Sequence, residues 1–337
     1  MKPAELKKLK ALLSKPKKIV IVTHWSPDGD AMGSSLGFYH YLVKKKHSVS
    51  VITPNAFPSF LSWLPGSKKT IDFSLNTVKA SKLVKAAEVI CCLDFNSLSR
   101  IDKLGPLVEA SDALKLMVDH HPQPDGFADF NHHTTQASST CELIYTLIDE
   151  LGEKKLLDKS SCNCLYTGIM TDTGSFRFSS TTANTHRVLA GLIDAGAENS
   201  EIHARMSDDN TEDRLKLLGY SLSQKMVILP EFHTGYISLT EEEQTRYNYK
   251  KGDTDGLVNF ILSIRGMKFA AFMTERDGLI KMSFRSKGKF DVNAFARKNF
   301  GGGGHLNAAG GASKEKLETV IQQFQKLVKA SGKELTK

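Results

Sequence analysis

The chain predicts an α/β architecture: a mostly parallel, doubly wound sheet with helices on both faces, then a smaller α/β domain with a mixed or antiparallel sheet. Three observations carry this. Short β-branched runs such as Val20-Ile21-Val22 alternate with helical stretches across residues 1–196, the pattern of βαβ units. Several of those runs stop abruptly at Asp or His. Beyond residue 225 the texture changes to short strands joined by tight turns, among them Arg276-Asp277-Gly278, whose Asp-Gly centre suits a two-residue hairpin.

Composition narrows the class. At 337 residues the chain holds about two domains of roughly 150 residues each, divided here as 1–196, a helical connector 197–225, and 226–332. An apolar fraction of 40% suffices for packed cores, and the net charge of +8 comes from 45 Lys and Arg against 37 Asp and Glu. That excess fits a phosphate-bearing partner, but much of it lies in solvated runs such as Lys44-Lys45-Lys46, and net charge speaks to association rather than fold. The five cysteines, Cys91, Cys92, Cys141, Cys162 and Cys164, are odd in number, sit among apolar residues and show no C-x-x-C spacing. They read as buried small residues in a reducing compartment. No segment approaches the ~18 apolar residues of a membrane span. The sequence therefore reads as cytoplasmic with no membrane partner, and it allows a homodimer.

Taken in order, residues 4–15 have an amphipathic helical pattern and Lys18–Thr23 is the first strand. From Ala31 to Val43, Met32, Leu36, Tyr39 and Val43 recur at helical spacing, and Gly33 and Gly37 let that helix approach the sheet closely. Ser48–Thr53, Val89–Leu93 and Leu116–Val118 are further strands. Ser139-Thr140-Cys141-Glu142 is a capping-box pattern ahead of an apolar helix, and Leu156–Thr171 and Thr185–Ala195 are helical. In the second half, Val227–Leu229, Gly235–Leu239, Lys268–Thr274 and Leu279–Arg285 read as strands. Asp291 caps a helix to about Phe300, and Gly301-Gly302-Gly303-Gly304-His305 follows. His132 and His133 read as structural residues of a polar loop. Phe176-Arg177-Phe178 reads as packing around a turn rather than a base-stacking pair.

The chemistry gathers at strand ends. His24, Asp28 and Asp30 follow the first strand, Asp94 another, and Asp119-His120-His121 a third; Asp172 opens a Thr-Gly turn after a helix. Parallel strands bring their carboxyl ends to one edge, so these residues converge. Six to eight oxygen and nitrogen ligands exceed what one structural zinc needs. They suit two divalent ions about 3.5–4 Å apart that activate water and clamp a phosphate. Asp94, on a strand between the other two, is the natural bridging carboxylate.

These motifs, in this order, resemble those of the DHH phosphoesterase family, named for the Asp119-His120-His121 triplet, and nothing in them departs from its pattern. Gly301–His305 followed by Ala308-Ala309-Gly310 resembles the signature of that family's associated C-terminal domain. Within the family the chain looks most like the manganese-dependent branch that degrades very short oligoribonucleotides from the 5′ end and dephosphorylates 3′-phosphoadenosine 5′-phosphate (pAp). The resemblance implies one metal on His24, Asp28 and Asp94, and a second on Asp30, Asp94, His120 and Asp172. It implies that Asp119 orients an imidazole and that His121 acts at the phosphate. In the C-terminal domain the glycine run reads as a loop whose amides at Gly303 and Gly304 cradle an anion, with His305 as a directional donor; the resemblance adds Arg285 to this substrate grip, and Arg100, six residues past Asp94, reaches a phosphate from the metal side. The site is expected in the cleft between the domains, with 197–225 as the hinge of a closing motion. A linear or cyclic dinucleotide phosphodiesterase and a catalytically silent nucleotide-binding module remain the alternatives. A long-strand exonuclease is disfavoured because no track of interleaved basic and aromatic residues is present.

Overall fold

The apolar runs become strands because each offers one row of side chains to either face of a sheet. In β1 (Lys18–Thr23), Ile19 and Ile21 enter one core while Val20 and Val22 enter another. A computed structural model describes residues 1–207 and 210–336, and the chain divides into two units, Met1–Asp209 and Asn210–Lys337.

In the first unit α1 (Pro3–Leu12) precedes β1, and α2 (Gly29–Lys44), β2 (Ser48–Thr53), β3 (Ile71–Asp72), α3 (Thr77–Ala86) and β4 (Val89–Leu93) follow. The unit continues through α4 (Gly105–Glu109), β5 (Leu114–Asp119), β6 (Phe130–His133), α5 (Thr140–Glu150), α6 (Lys159–Asp172), α7 (Ala183–Asp194) and α8 (Asn199–Ser207). All strand pairs are parallel, in the order β3-β2-β1-β4-β5-β6. The winding reverses between β1 and β4, the crevice where open α/β sheets bind ligands. Helices cover both faces: α2, α5, α6 and α7 share one core with Ile21, Cys91 and Val118, whereas α3 and the segment around α4 share another with Val22, Cys92 and Met117. All five cysteines are buried and unpaired among the described residues, and burial pushes the Cys92 thiol up to about 12.

The glycines of α2 correct one expectation. They bring the helix against α6, not against the sheet. A Cβ on Gly33 would stand 2.6 Å from the Cys164 carbonyl oxygen, one on Gly29 2.2 Å from Thr171 Oγ1, and one on Gly37 2.6 Å from Leu165. Residues four apart share a helix face, so the Gly29-Gly33-Gly37 stripe sets the α2–α6 distance. A second correction concerns His132 and His133, which lie in strand β6 beside β5, not in a loop. They still serve structure, since His133 Nε2 bonds the His121 carbonyl.

The second unit holds α9 (Glu212–Tyr220), β7 (Met226–Leu229), β8 (Thr234–Leu239), α10 (Glu241–Arg246), α11 (Leu257–Ser263), β9 (Phe269–Arg276), β10 (Leu279–Ser286), α12 (Val292–Phe300), β11 (Gly303–His305), β12 (Ala308–Ser313), α13 (Leu317–Ala330) and α14 (Gly332–Leu335). The span 197–225 thus contributes α8 to the first unit and α9 to the second; its residues 208 and 209 lie outside the described residues. The sheet order is β11-β12-β10-β9-β8-β7. It is mixed, because α10 and α11 carry the chain across and make β8 and β9 parallel; a parallel pair needs such a crossover. Asp277 and Gly278 both adopt positive φ between β9 and β10, the requirement of a type I′ hairpin.

Two substitutions check the packing argument. Gly33→Ala gains up to about 1 kcal/mol of helix propensity but meets backbone that cannot yield, so a net loss of about 1–2 kcal/mol is expected. Gly219→Ala, in α9 with nothing within 4 Å of its Cβ position, is expected to be neutral or stabilising. Denaturant midpoints of the two variants measure the difference.

Candidate metal centre

Three strand ends and one helix end build the site. His24 follows β1, Asp28 caps α2 by accepting from the Asp30 and Ala31 amides, and Asp30 lies in the first turn of that helix. Asp94 follows β4, Asp119 closes β5, and Asp172 is the last residue of α6. The close α2–α6 packing delivers Asp30 and Asp172 to the same place.

Asp94 occupies the centre. Its backbone sits at φ 65°, a left-handed conformation that a non-glycine residue adopts at a cost and mainly at functional sites. Its amide is tied to the Val118 carbonyl at 3.0 Å. One carboxylate oxygen, Oδ2, lies 3.3 Å from His24 Nε2, and the other, Oδ1, lies 3.6 Å from His120 Nε2. Asp28 Oδ1 completes the first group at 3.8 Å from His24 Nε2. Asp30 Oδ2 and Asp172 Oδ2 complete the second, at 3.9 and 3.5 Å from His120 Nε2. Each carboxylate oxygen of Asp94 therefore faces a different imidazole.

The donor set fits divalent metals. Ligand atoms about 2.1 Å from one ion and at right angles stand about 3 Å apart, close to the spacing seen here. Within His24, Asp28, Asp94 and within Asp30, His120, Asp172, the ligating atoms all lie within 4.8 Å of one another. The electrostatics agree. Burial, and then the neighbouring Asp94 charge, push the Asp30 carboxyl well above the usual range; burial, and then Asp30, do the same to Asp172. Two divalent cations would offset that crowding of negative charge. Burial lowers His120 below the usual imidazole value although Asp94 opposes it, which keeps its lone pair ready to ligate near neutral pH.

Asp119 and His121 adjoin this centre, with His121 Nδ1 3.7 Å from Asp94 Oδ1. Asp119 is wholly buried and accepts from both the His121 amide at 2.9 Å and His121 Nδ1 at 2.7 Å. The carboxylate fixes the proton on Nδ1, so Nε2 is the nitrogen that can act on another group. Arg100 lies with Trp25, Ser99 and Asp102 around a pocket bounded by His24. Phe176 packs edge-on against Tyr166 and His203.

In the second unit Arg285 lies on the polar face of β10 and donates from Nη1 to the Phe284 carbonyl. The glycine run is not the open loop that the sequence suggests. Gly303, Gly304 and His305 form the edge strand β11, paired with β12. The Gly304 amide already donates to Asn293 Oδ1 at 3.0 Å, and the Gly302 amide to the Ala296 carbonyl. The glycines permit close approach: a Cβ on Gly302 would stand 1.8 Å from the Gly310 oxygen, and one on Gly304 2.3 Å from the Ala308 oxygen.

Sequence reasoning missed Thr140. Its amide donates to Asp30 Oδ2 at 2.6 Å, the Cys141 amide donates to Asp30 Oδ1 at 2.9 Å, and Thr140 Oγ1 donates to Asp94 Oδ1 at 3.0 Å. The start of α5 thus clamps one carboxylate from each group. Only half of the expected capping box forms: Ser139 accepts from the Glu142 amide. The Glu142 carboxylate instead takes Ser138, Thr185 and Asn184, which anchors the turn that presents Thr140. The Ser138-Ser139-Thr140 run was its only signal, and it resembles any helix cap.

A profile of the DHH family, N-terminal domain, matches residues 18–169, and one of the DHHA1 domain matches residues 234–331. The bifunctional oligoribonuclease and PAP phosphatase NrnA of Thermus thermophilus is 32% identical over 320 residues, covering 95% of this chain and 90% of the relative. The protein of that name from Bacillus subtilis is 29% identical over 317 residues, covering 92% and 95%. A solved exopolyphosphatase-related protein from Bacteroides fragilis matches with a TM-score of 0.96 at 41% identity, across 100% of this chain and 98% of that one. RecJ of T. thermophilus, solved in complex with Mn2+, shares the fold at a TM-score of 0.53 and 14% identity, over 98% of this chain and 55% of that chain.

Thr140→Val keeps both amide bonds to Asp30 and removes only the hydroxyl on Asp94. Divalent metal affinity is expected to fall about 10- to 100-fold, as for other groups that orient metal ligands, and Thr140→Ser is expected to restore it. Calorimetric titration of each variant with Mn2+ measures this.

Proposed function

The chain belongs to the DHH family, and on that premise we propose that it hydrolyses short oligoribonucleotides to 5′-mononucleotides from the 5′ end and removes the 3′-phosphate of pAp. The observation that carries the reading is the pair of ligand groups sharing Asp94, next to a histidine whose tautomer is set by Asp119. His24, Asp28 and Asp94 would hold one ion, and Asp30, Asp94, His120 and Asp172 the other; we assign both as Mn2+. Two such ions supply an activated water and a clamp on the phosphate oxygens. The chain's own groups do the rest. His121 Nε2 exchanges a proton with the leaving oxygen while Asp119 holds the ring in place. Arg100 offers a fork of donors to a phosphate. The relatives from T. thermophilus and B. subtilis are named for both activities, which supports the substrate class. The DHHA1 match supports a substrate-binding role for His305 and Arg285, with Gly303 and Gly304 carrying His305 on the edge strand β11. A cytoplasmic setting accords with five buried, unpaired cysteines and with the finding that no helix among the described residues is long and apolar enough to cross a membrane.

Without a track of stacking platforms to guide a strand, kcat/KM is expected to fall steeply as RNA grows from two to about ten nucleotides. End-labelled oligonucleotides under single-turnover conditions with Mn2+ test this; undiminished, processive digestion of long strands would discard the reading. Arg285→Ala is expected to raise KM about ten- to a hundredfold, the worth of one charged contact, while leaving the bound metal content unchanged by elemental analysis.

A further inference from the structure

Trp25 stands directly after a metal ligand yet contributes to neither core of its domain. Its backbone is fully engaged. The amide donates to the Arg100 carbonyl at 2.8 Å, and the carbonyl accepts from His24 Nδ1 at 2.8 Å. The first bond docks the Leu98–Leu104 segment; the second turns His24 Nε2 toward Asp28 and Asp94. Ser26, next in the chain, is held at φ 55° with its amide on Asn55 Oδ1, so the residue cannot drift. Trp25 nonetheless remains 47% exposed, whereas the other tryptophan, Trp63, packs against the core. An apolar ring kept half in water, on a backbone fixed from both sides, needs another explanation than folding. The ring lines a pocket with His24, Ser99, Arg100 and Asp102, so a flat wall and a cation stand beside a ligand of the metal centre.

We propose that the indole of Trp25 is a stacking platform for a nucleobase, the one attached to the nucleotide whose phosphate lies at the metal centre, with Arg100 beside it. This rests on the substrate class proposed above and adds to it the group that recognises the base. Every base offers a π-face, so stacking tolerates sequence; the subsite ranks purines over pyrimidines by ring area and does not read a base edge. A ligand with a phosphate and no ring gains nothing from it.

Two arms test the proposal separately from the hydrolytic reading. In the first, AMP and ribose 5-phosphate are titrated against wild type and Trp25→Phe, and the Trp25-dependent fluorescence is taken as the difference. AMP is expected to quench it, and ribose 5-phosphate is not. In the second, kcat and KM are measured for pAp and for ribose 3,5-bisphosphate with wild type, Trp25→Ala and Trp25→Phe. Trp25→Ala is expected to cut the preference for pAp about ten- to a hundredfold, through KM rather than kcat, and Trp25→Phe is expected to recover most of it. Equal loss on both substrates, or no AMP-dependent quenching, overturns the platform. If wild type turned over neither substrate while AMP still quenched Trp25, the hydrolytic reading would fall and the platform would stand.

Discussion

Asp94 places its two carboxylate oxygens against two different imidazoles, and much of the first domain works to keep it there. The strained backbone at the end of β4, the amide tied to β5 and the hydroxyl of Thr140 act on this one side chain. The surroundings are hostile to it. Asp28, Asp30 and Asp172 crowd the same sheet edge, and burial drives Asp30 and Asp172 toward protonation. Divalent cations would turn that repulsion into coordination, which would give the fold an electrostatic reason to assemble so many carboxylates.

The second constraint is steric. Asp30 and Asp172 lie near adjoining ends of α2 and α6, so the spacing of those helices fixes one ligand group. Gly29, Gly33 and Gly37 set that spacing, and the start of α5 then locks Asp30 through two amides. On the proposed ligand assignment, metal affinity would be coupled to helix packing. A methyl group in the α2–α6 contact would act on both.

The sequence announced what depends on local pattern. The β-branched runs and the Asp or His that ended them located β1, β4 and β5 and the residues at their tips, because strand direction alone sends those tips to one edge. What escaped depends on partners distant in the chain. Thr140 acts on a carboxylate 110 residues away, and nothing in its neighbours distinguishes that from an ordinary cap. Phe130–His133 has no alternating apolar pattern and is a strand only because β5 offers it a ladder. In the glycine run, Gly302 and Gly304 stand where β12 backbone lies too close for a Cβ, a constraint that only the paired strand reveals. The parallel β8–β9 pair depends on α10 and α11, which intervene between the two strands and carry no strand-pairing signal of their own.

The shared carboxylate is tested most directly by counting ions and their coupling. Wild-type protein would be stripped of metal, titrated with Mn2+ and followed by electron paramagnetic resonance alongside Asp94→Ala. The expected result is two bound ions with an exchange-coupled spectrum in the wild type, and loss of that coupled signal in the variant. One ion per wild-type chain, two uncoupled ions, or a coupled signal that survives in Asp94→Ala would contradict the bridging role.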